Sequence, residues 1–236
     1  MKLALIGRSV NHSMSPKLYA EMLGPSLESY DLLDISNEQD LPELADLTQK
    51  YDGINITSPY KSSYASQIVW ERPELKSLGG VNTLTLGQKE VVGTNTDFYA
   101  VQIILQRYLN QFADLSLLIL GSGVMARLTQ LVAHELGIKF KVYSRGQKDD
   151  MSCLDLQKDF RSHQQVVVVN ACSRQFIFQG SLHPEFIFWD FNYNFIPHQN
   201  TLPSQVKTYV DGQEMLRIQA SEAIKFWKRT NPKLKC

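Results

Sequence analysis

Three polar clusters, each placed at the end of a short apolar run, carry the residue types from which a ligand site can be built. They are Thr57-Ser58-Pro59-Tyr60-Lys61 after Ile54–Ile56, Gly79-Gly80-Val81-Asn82-Thr83, and Gly93-Thr94-Asn95-Thr96-Asp97. Lysine, threonine, asparagine and aspartate converging in one cleft suit a small polyhydroxylated ligand, because together they offer donors and acceptors. A fourth cluster, Gly121-Ser122-Gly123-Val124-Met125-Ala126, follows the apolar run Leu117–Leu120 and opens a helical pattern. A Gly-x-Gly-x-x-Ala in that context lets a pyrophosphate approach glycine backbone at a helix N-terminus. A fifth, His12-Ser13-Met14-Ser15-Pro16, has two readings: Ser15 caps a helix with Pro16 in its first position, or the serines and free N–H groups hold a carboxylate.

The elements that must position these clusters follow from periodicity. Leu3–Ile6 reads as a strand, 17–23 as a helix, Tyr30–Ile35 as a second strand, Asn37–Lys50 as a helix and Ile54–Ile56 as a third strand, an alternation that predicts parallel pairing. Pro59 places Lys61 just inside a helix, at a strand's carboxyl end where α/β sheets leave crevices. Residues 81–86 and 90–92 around Gly87-Gln88-Lys89 read as a hairpin. Phe98, Val101, Leu105, Tyr108 and Phe112 recur at helical spacing and are expected in the core.

Beyond the glycine loop, the strand Phe140–Tyr143 ends in Ser144-Arg145, where a dinucleotide fold often has an acidic residue for the ribose 2′-hydroxyl. Arg145, with Lys148 near it, favours a 2′-phosphate and therefore NADP; a solvated surface charge is the alternative. Apolar strands at 165–170 and 186–191 lead to Asn170-Ala171-Cys172 and Asp190-Phe191-Asn192-Tyr193, both facing the glycine-loop crevice. A last helix from about Gln213 to Arg229 puts Met215 and Gln219 on one face, and 230–236 reads as a loose tail.

Composition narrows the class. A chain of 236 residues can bury one large core or two modest ones, and two domains are expected. Its formal net charge of zero, with no basic tail or charge run, argues against nucleic acid as a partner. Cys153, Cys172 and Cys236 form no Cys-x-x-Cys pair, which fits a reducing compartment, read as cytoplasm, and neither a disulfide framework nor a metal site. No apolar run approaches a membrane span, and Met1–Gly7 lacks a signal-like region, so a soluble protein is expected.

Taken in order, His12-Ser13-Met14-Ser15-Pro16, Asn55-Ile56-Thr57-Ser58-Pro59-Tyr60-Lys61, Gly80-Val81-Asn82-Thr83, Asn95-Thr96-Asp97, Gly121-Ser122-Gly123, Ser144-Arg145, 190–193, and Asp211-Gly212 through Met215-Leu216 to Gln219-Ala220 resemble shikimate dehydrogenase over nearly the whole chain. The resemblance implies NADPH-dependent reduction of 3-dehydroshikimate to shikimate, on the route to chorismate and aromatic amino acids. It implies that Ser13 and Ser15, helped by Tyr193, hold the substrate carboxylate. Thr57, Lys61, Asn82, Asp97 and Gln219 then surround the ring hydroxyls, with Lys61 and Asp97 the catalytic pair. Gly121 to Ala126, Ser144, Arg145, Lys148, Asn170, Ala171, Gly212 and Met215 are expected to bind the cofactor.

The chain departs from the family pattern at Val124, where a third glycine is expected, at Ser144 and Gly146 in the 2′-phosphate clamp, and at Glu214, where a glycine is expected beside the nicotinamide. The segment between Tyr193 and Asp211 also looks short. These departures keep two other readings open: a quinate/shikimate dehydrogenase using NAD or NADP, and a shikimate-binding or regulatory homologue without catalysis. The expected architecture is α/β: a mixed, mainly parallel substrate domain of residues 1–97 and 213–236, whose last helix packs back on it, and a Rossmann-like NADP-binding domain of residues 98–212. The active site is expected in the cleft between them, in a monomer or homodimer.

Overall fold

The chain's structure, a computed structural model, describes residues 1–86, 90–145, 150–161 and 164–234. Two compact units divide it, Met1–Tyr99 with Arg217–Cys236, and Ala100–Leu216.

In the first unit β1 (Lys2–Gly7) buries Leu3, Ala4, Leu5 and Ile6, as a continuous apolar run does in a strand covered on both faces. Helix α1 (Ser15–Leu23) begins at Ser15 itself, with Met14 in the cap position and no side-chain cap, so Ser15 is not the cap that spacing predicts. β2 (Ser29–Asp34) follows. The helix expected over Asn37–Lys50 is split into a 3-10 turn, Glu38–Asp40, and α2 (Leu44–Lys50). Pro42 is the reason: it drives the preceding Leu41 into extended backbone, φ −63° and ψ 130°. β3 (Gly53–Ile56) is wholly buried, and Lys61 leaves it on a 3-10 turn, Tyr60–Ser62, not on an α-helix.

β4 (Val69–Trp70), a two-residue strand without a periodic signal, precedes β5 (Thr83–Thr85) and β6 (Val92–Thr94), which pair antiparallel as the hairpin reading predicts. Gly87-Gln88-Lys89, read as its turn, lies outside the described residues. The six strands run β2-β1-β3-β5-β6-β4, with β1 parallel to β2 and β3. Ile6, Ile54, Ile56, Leu47, Val81, Leu84 and Leu86 form a core on this sheet.

Helix α3 (Thr96–Gln111) leads from the first unit into the second. Phe98, Val101 and Leu105 are buried on it, whereas Tyr108, and Phe112 just past its end, are half-buried. The second unit continues with β7 (Leu115–Leu120), α4 (Val124–Glu135), β8 (Lys139–Tyr143), β9 (Gln165–Asn170), β10 (Ile187–Asp190), α5 (Ile196–Thr201) and β11 (Thr208–Val210). All five strands are parallel, in the order β11-β10-β9-β7-β8. The chain steps from β7 to β8 on one side and then to β9 on the other. The carboxyl ends of β7 and β9 therefore form the switch point at which such sheets bind ligands. The segment after Tyr193 that looked short holds α5 and β11, elements too brief to show a period.

Helix α6 (Gln213–Thr230) ends in the first unit, where Trp227 Nε1 donates to the Leu84 carbonyl at 2.9 Å. The expected loose tail is anchored at its start: Asn231 is fully buried and its Nδ2 donates to the Leu86 carbonyl at 3.2 Å. Among the described residues no helix is long and apolar enough to cross a membrane.

Candidate active site

Lys61 and Asp97, 36 residues apart, meet: Lys61 Nζ donates to Asp97 Oδ2 at 2.6 Å. Their side chains are 18% and 12% exposed, shielded enough to strengthen the attraction yet open to a ligand. Asp97 stands in the first turn of α3, where the helix dipole favours a carboxylate. Asn95 fixes that turn, since its Oδ1 accepts the Asp97 N–H at 3.1 Å and its Nδ2 donates to the Gly80 carbonyl at 2.7 Å. Fully buried, Asn95 thus serves the fold of its cluster.

Asn82 is held by its oxygen. Oδ1 accepts the Thr96 N–H at 2.7 Å and the Thr83 hydroxyl at 3.0 Å, which leaves Nδ2 as the end of the amide that can meet a ligand. Gln219 Oε1 accepts from Thr96 Oγ1 at 3.2 Å. From Thr83 a hydrogen-bonded line runs on to Asn55 Nδ2 at 3.2 Å, then from Asn55 Oδ1 to the Tyr30 hydroxyl at 2.9 Å. Tyr30 also meets Ser15, whose Oγ accepts from Ser13 Oγ at 3.1 Å. Burial raises the Tyr30 phenol well above its usual pKa against a weaker opposing pull from Ser15, so it stays a donor. The line joins Ser13 and Ser15 to Asn82 and Gln219. Thr57 is half-buried at the end of β3, its N–H on the Ile6 carbonyl at 2.8 Å.

Sequence reading gave Tyr30 no role in the site and quoted Asn55 only as part of a motif. The available signal was an asparagine between two isoleucines in a wholly buried strand, a polar group that must find partners.

In the second unit the glycine loop joins β7 to α4. Gly121 has φ +118°, and its N–H donates to the Tyr143 carbonyl at 2.8 Å. Gly123 precedes α4 and is exposed, and a Cβ built on it meets nothing within 4 Å. Open space over glycine backbone at a helix N-terminus is what a pyrophosphate requires, so the loop fits a dinucleotide. Ser122 is exposed, Val124 and Met125 are half-buried and Ala126 is buried.

Ala171 N–H donates to the Leu120 carbonyl at 3.0 Å, keeping the end of β9 against the loop. Asn170 is turned inward: its Nδ2 donates to Asp190 Oδ1 at 2.9 Å and its Oδ1 accepts the Cys172 N–H at 3.2 Å. Arg145 follows β8, exposed, with Ser144 half-buried before it; Lys148 lies outside the described residues. Gly212 allows close packing, since a Cβ there would lie 2.3 Å from the Phe191 carbonyl oxygen, and Met215 is buried. Tyr193 is half-buried after β10, its carbonyl accepting from Arg174 Nη1 at 2.7 Å. Glu214, which sequence reading set against the cofactor, is paired with Arg107.

One buried pair imitates a catalytic dyad. His198 Nδ1 lies 2.6 Å from Asp190 Oδ2, both fully buried. His198 Nε2 accepts the Phe178 N–H at 2.9 Å, so the ring is neutral with its proton on Nδ1, donated to Asp190. With no nitrogen left for chemistry, the dyad ties α5 to the end of β10. Burial, with a smaller contribution from Asp190 and against the pull of Arg145, pushes the Cys172 thiol beside the glycine loop up to about 11.

Residues 5–84 match the family model for the shikimate dehydrogenase substrate binding domain. The chain is 31% identical over 170 residues to the NADP(+) shikimate dehydrogenase of Clostridium beijerinckii, covering 69% of this chain and 62% of that protein. Against the corresponding protein of Methylobacillus flagellatus the identity is 28%, over 97% of this chain and 94% of the relative. The fold is also that of the shikimate 5-dehydrogenase of Thermus thermophilus in complex with NADP(H) and shikimate, with a TM-score of 0.70 at 21% identity over 97% and 94% of the two chains. Matched along its length to relatives of one kind, the chain belongs to the shikimate dehydrogenase family.

Proposed function

We propose that the protein catalyses the reversible, NADPH-dependent reduction of 3-dehydroshikimate to shikimate, acting in the cytoplasm as a monomer or homodimer. The observation that carries this reading is the 2.6 Å contact of Lys61 with Asp97 at the carboxyl end of β3. The activity named for the relatives and the ligands of the Thermus thermophilus complex support it.

Bound NADPH supplies the hydride. As negative charge builds on the ketone oxygen, the Lys61 ammonium stabilises it and then gives it a proton, completing the new C–O–H. Asp97 holds the ammonium in place and compensates its charge while the pocket waits for substrate. In the oxidative direction the neutral amine of Lys61 takes the hydroxyl proton back. Ser13 and Ser15 donate to the substrate carboxylate, with Tyr193 as a further donor, and Thr57, Asn82 and Gln219 orient the ring hydroxyls.

The cofactor's pyrophosphate is assigned to Gly121, Ser122, Gly123, Val124, Met125 and Ala126, and its 2′-phosphate to Ser144, Arg145 and Lys148. Asn170, Ala171, Gly212 and Met215 complete that set, with Asn170 and Gly212 shaping the backbone. The pairing of Glu214 with Arg107 offsets its charge and supports the reading with a bound cofactor.

The test is loss of NADPH absorbance on adding 3-dehydroshikimate, run beside Lys61→Ala. The variant is expected to lose at least about a hundredfold in kcat, the scale of a positioned acid–base group. Quinate and NAD in parallel assays expose a quinate/shikimate enzyme. No turnover together with a melting shift by shikimate would identify a binding protein instead.

A further inference from the structure

We propose that Asp34, at the carboxyl end of β2, is a positioning residue whose carboxylate clasps the loop that delivers Ser13. This rests on the reading of Ser13 and Ser15 as the contacts for the substrate carboxylate.

The loop is residues 8–14, between β1 and α1. Its second residue, Ser9, has φ +56°, a left-handed conformation that a serine keeps only where its surroundings impose it. Asp34 supplies the constraint. Gly7 and Asp34 are register partners across β1 and β2, so the carboxylate stands level with the start of the loop. The Ile35 N–H closes that end on the Gly7 carbonyl at 2.8 Å.

Both carboxylate oxygens are used. Oδ1 accepts the Ser9 N–H at 2.7 Å and Oδ2 accepts Asn11 Nδ2 at 2.7 Å. Bonds to an ionised acceptor at this length are the stronger kind. Between the two clasped residues Val10 buries its side chain, and its carbonyl accepts the Ser13 N–H at 2.8 Å. That turn delivers Ser13 Oγ to Ser15 Oγ at 3.1 Å. The placement of one serine hydroxyl thus descends from a carboxylate 21 positions further along the chain. Both of these bonds go to the loop that carries Ser13, so removing the carboxylate is expected to act on the affinity for shikimate.

The experiment uses the full chain. Asp34→Asn keeps an oxygen for Ser9 but removes the charge from both bonds, and Asn11 must turn its amide to accept from the new Nδ2. It is expected to raise the shikimate KM about tenfold, the loss of one charge-assisted hydrogen bond, while the NADP KM and kcat change less than about threefold. Adding Asn11→Asp restores a charged donor–acceptor pair in the reverse sense and is expected to recover most of the shikimate KM. Hydrogen exchange of residues 8–14 in the ligand-free protein, faster in Asp34→Asn and slowed again in the double variant, reads the clasp without any assay of activity.

Unchanged exchange in Asp34→Asn overturns the clasp. Faster exchange with an unchanged shikimate KM, or with both KM values rising together, overturns its role in positioning Ser13. A wild-type protein inert toward shikimate sinks the functional reading, and the positioning role with it, whatever the exchange shows.

Discussion

The two units prepare for a ligand by opposite means. In the first, candidate side chains are held by other side chains: Lys61 by Asp97, Asn82 by Thr83, Ser13 by Ser15, and Gln219 by Thr96. In the second, the glycine loop presents backbone, and its key position, Gly123, has empty space in front of it. A site for hydroxyls and a carboxylate needs directional groups with fixed orientation, whereas a site for a pyrophosphate needs N–H groups and room. The first unit is therefore sensitive to which group is present, and the second to whether anything is added.

Substitutions can break that contrast. The largest effect belongs to Lys61→Ala, with kcat down at least about a hundredfold and NADPH binding retained, as titration by cofactor fluorescence would show. Next, Gly121→Ala is expected to lower stability by about 1–3 kcal/mol in a denaturant melt, because an L side chain must take φ +118° with the Cys172 Sγ 3.2 Å away. Gly123→Ala separates conformation from space. It should fold with an unchanged melting midpoint yet raise the NADP KM about tenfold, worth about 1.4 kcal/mol. An equal loss of stability at both glycines would remove the distinction drawn here.

The smallest effect is a pattern of labelling. Cys172 sits behind the loop with its thiol pushed up to about 11, mainly by burial, whereas Cys153 is exposed. The thiolate is the nucleophile, and a raised pKa keeps its population low below that value. Iodoacetamide at pH 8 should therefore modify Cys153 and spare Cys172, with labelling of Cys172 rising only as the pH approaches 11. Peptide mass spectrometry reads both sites.

The elements with a long apolar signal were legible: β1, β7, β9 and α3 follow from runs or periods that only burial explains. β4, α5 and β11 were not, because two to six residues are too few to show a period. The helix expected from Asn37 failed at a residue in plain view, Pro42, whose effect falls on its neighbour. Lys61 and Asp97 could be named from motifs, but Asn95, beside Asp97 in the same motif, is a structural cap. Asp34 carried no local mark, since an aspartate at a strand end becomes informative only when the register puts it opposite Gly7.

The bond from Trp227 to the Leu84 carbonyl has a bearing on how the polypeptide emerges from the ribosome. Residues 1–99 lack their covering helix until residues 217–231 have been synthesised, whereas the stretch between is contiguous and can close on itself beforehand. A released chain truncated at residue 216 should therefore protect the middle segment from protease while the amino-terminal one is still digested. The half of the molecule translated first is the last to be finished.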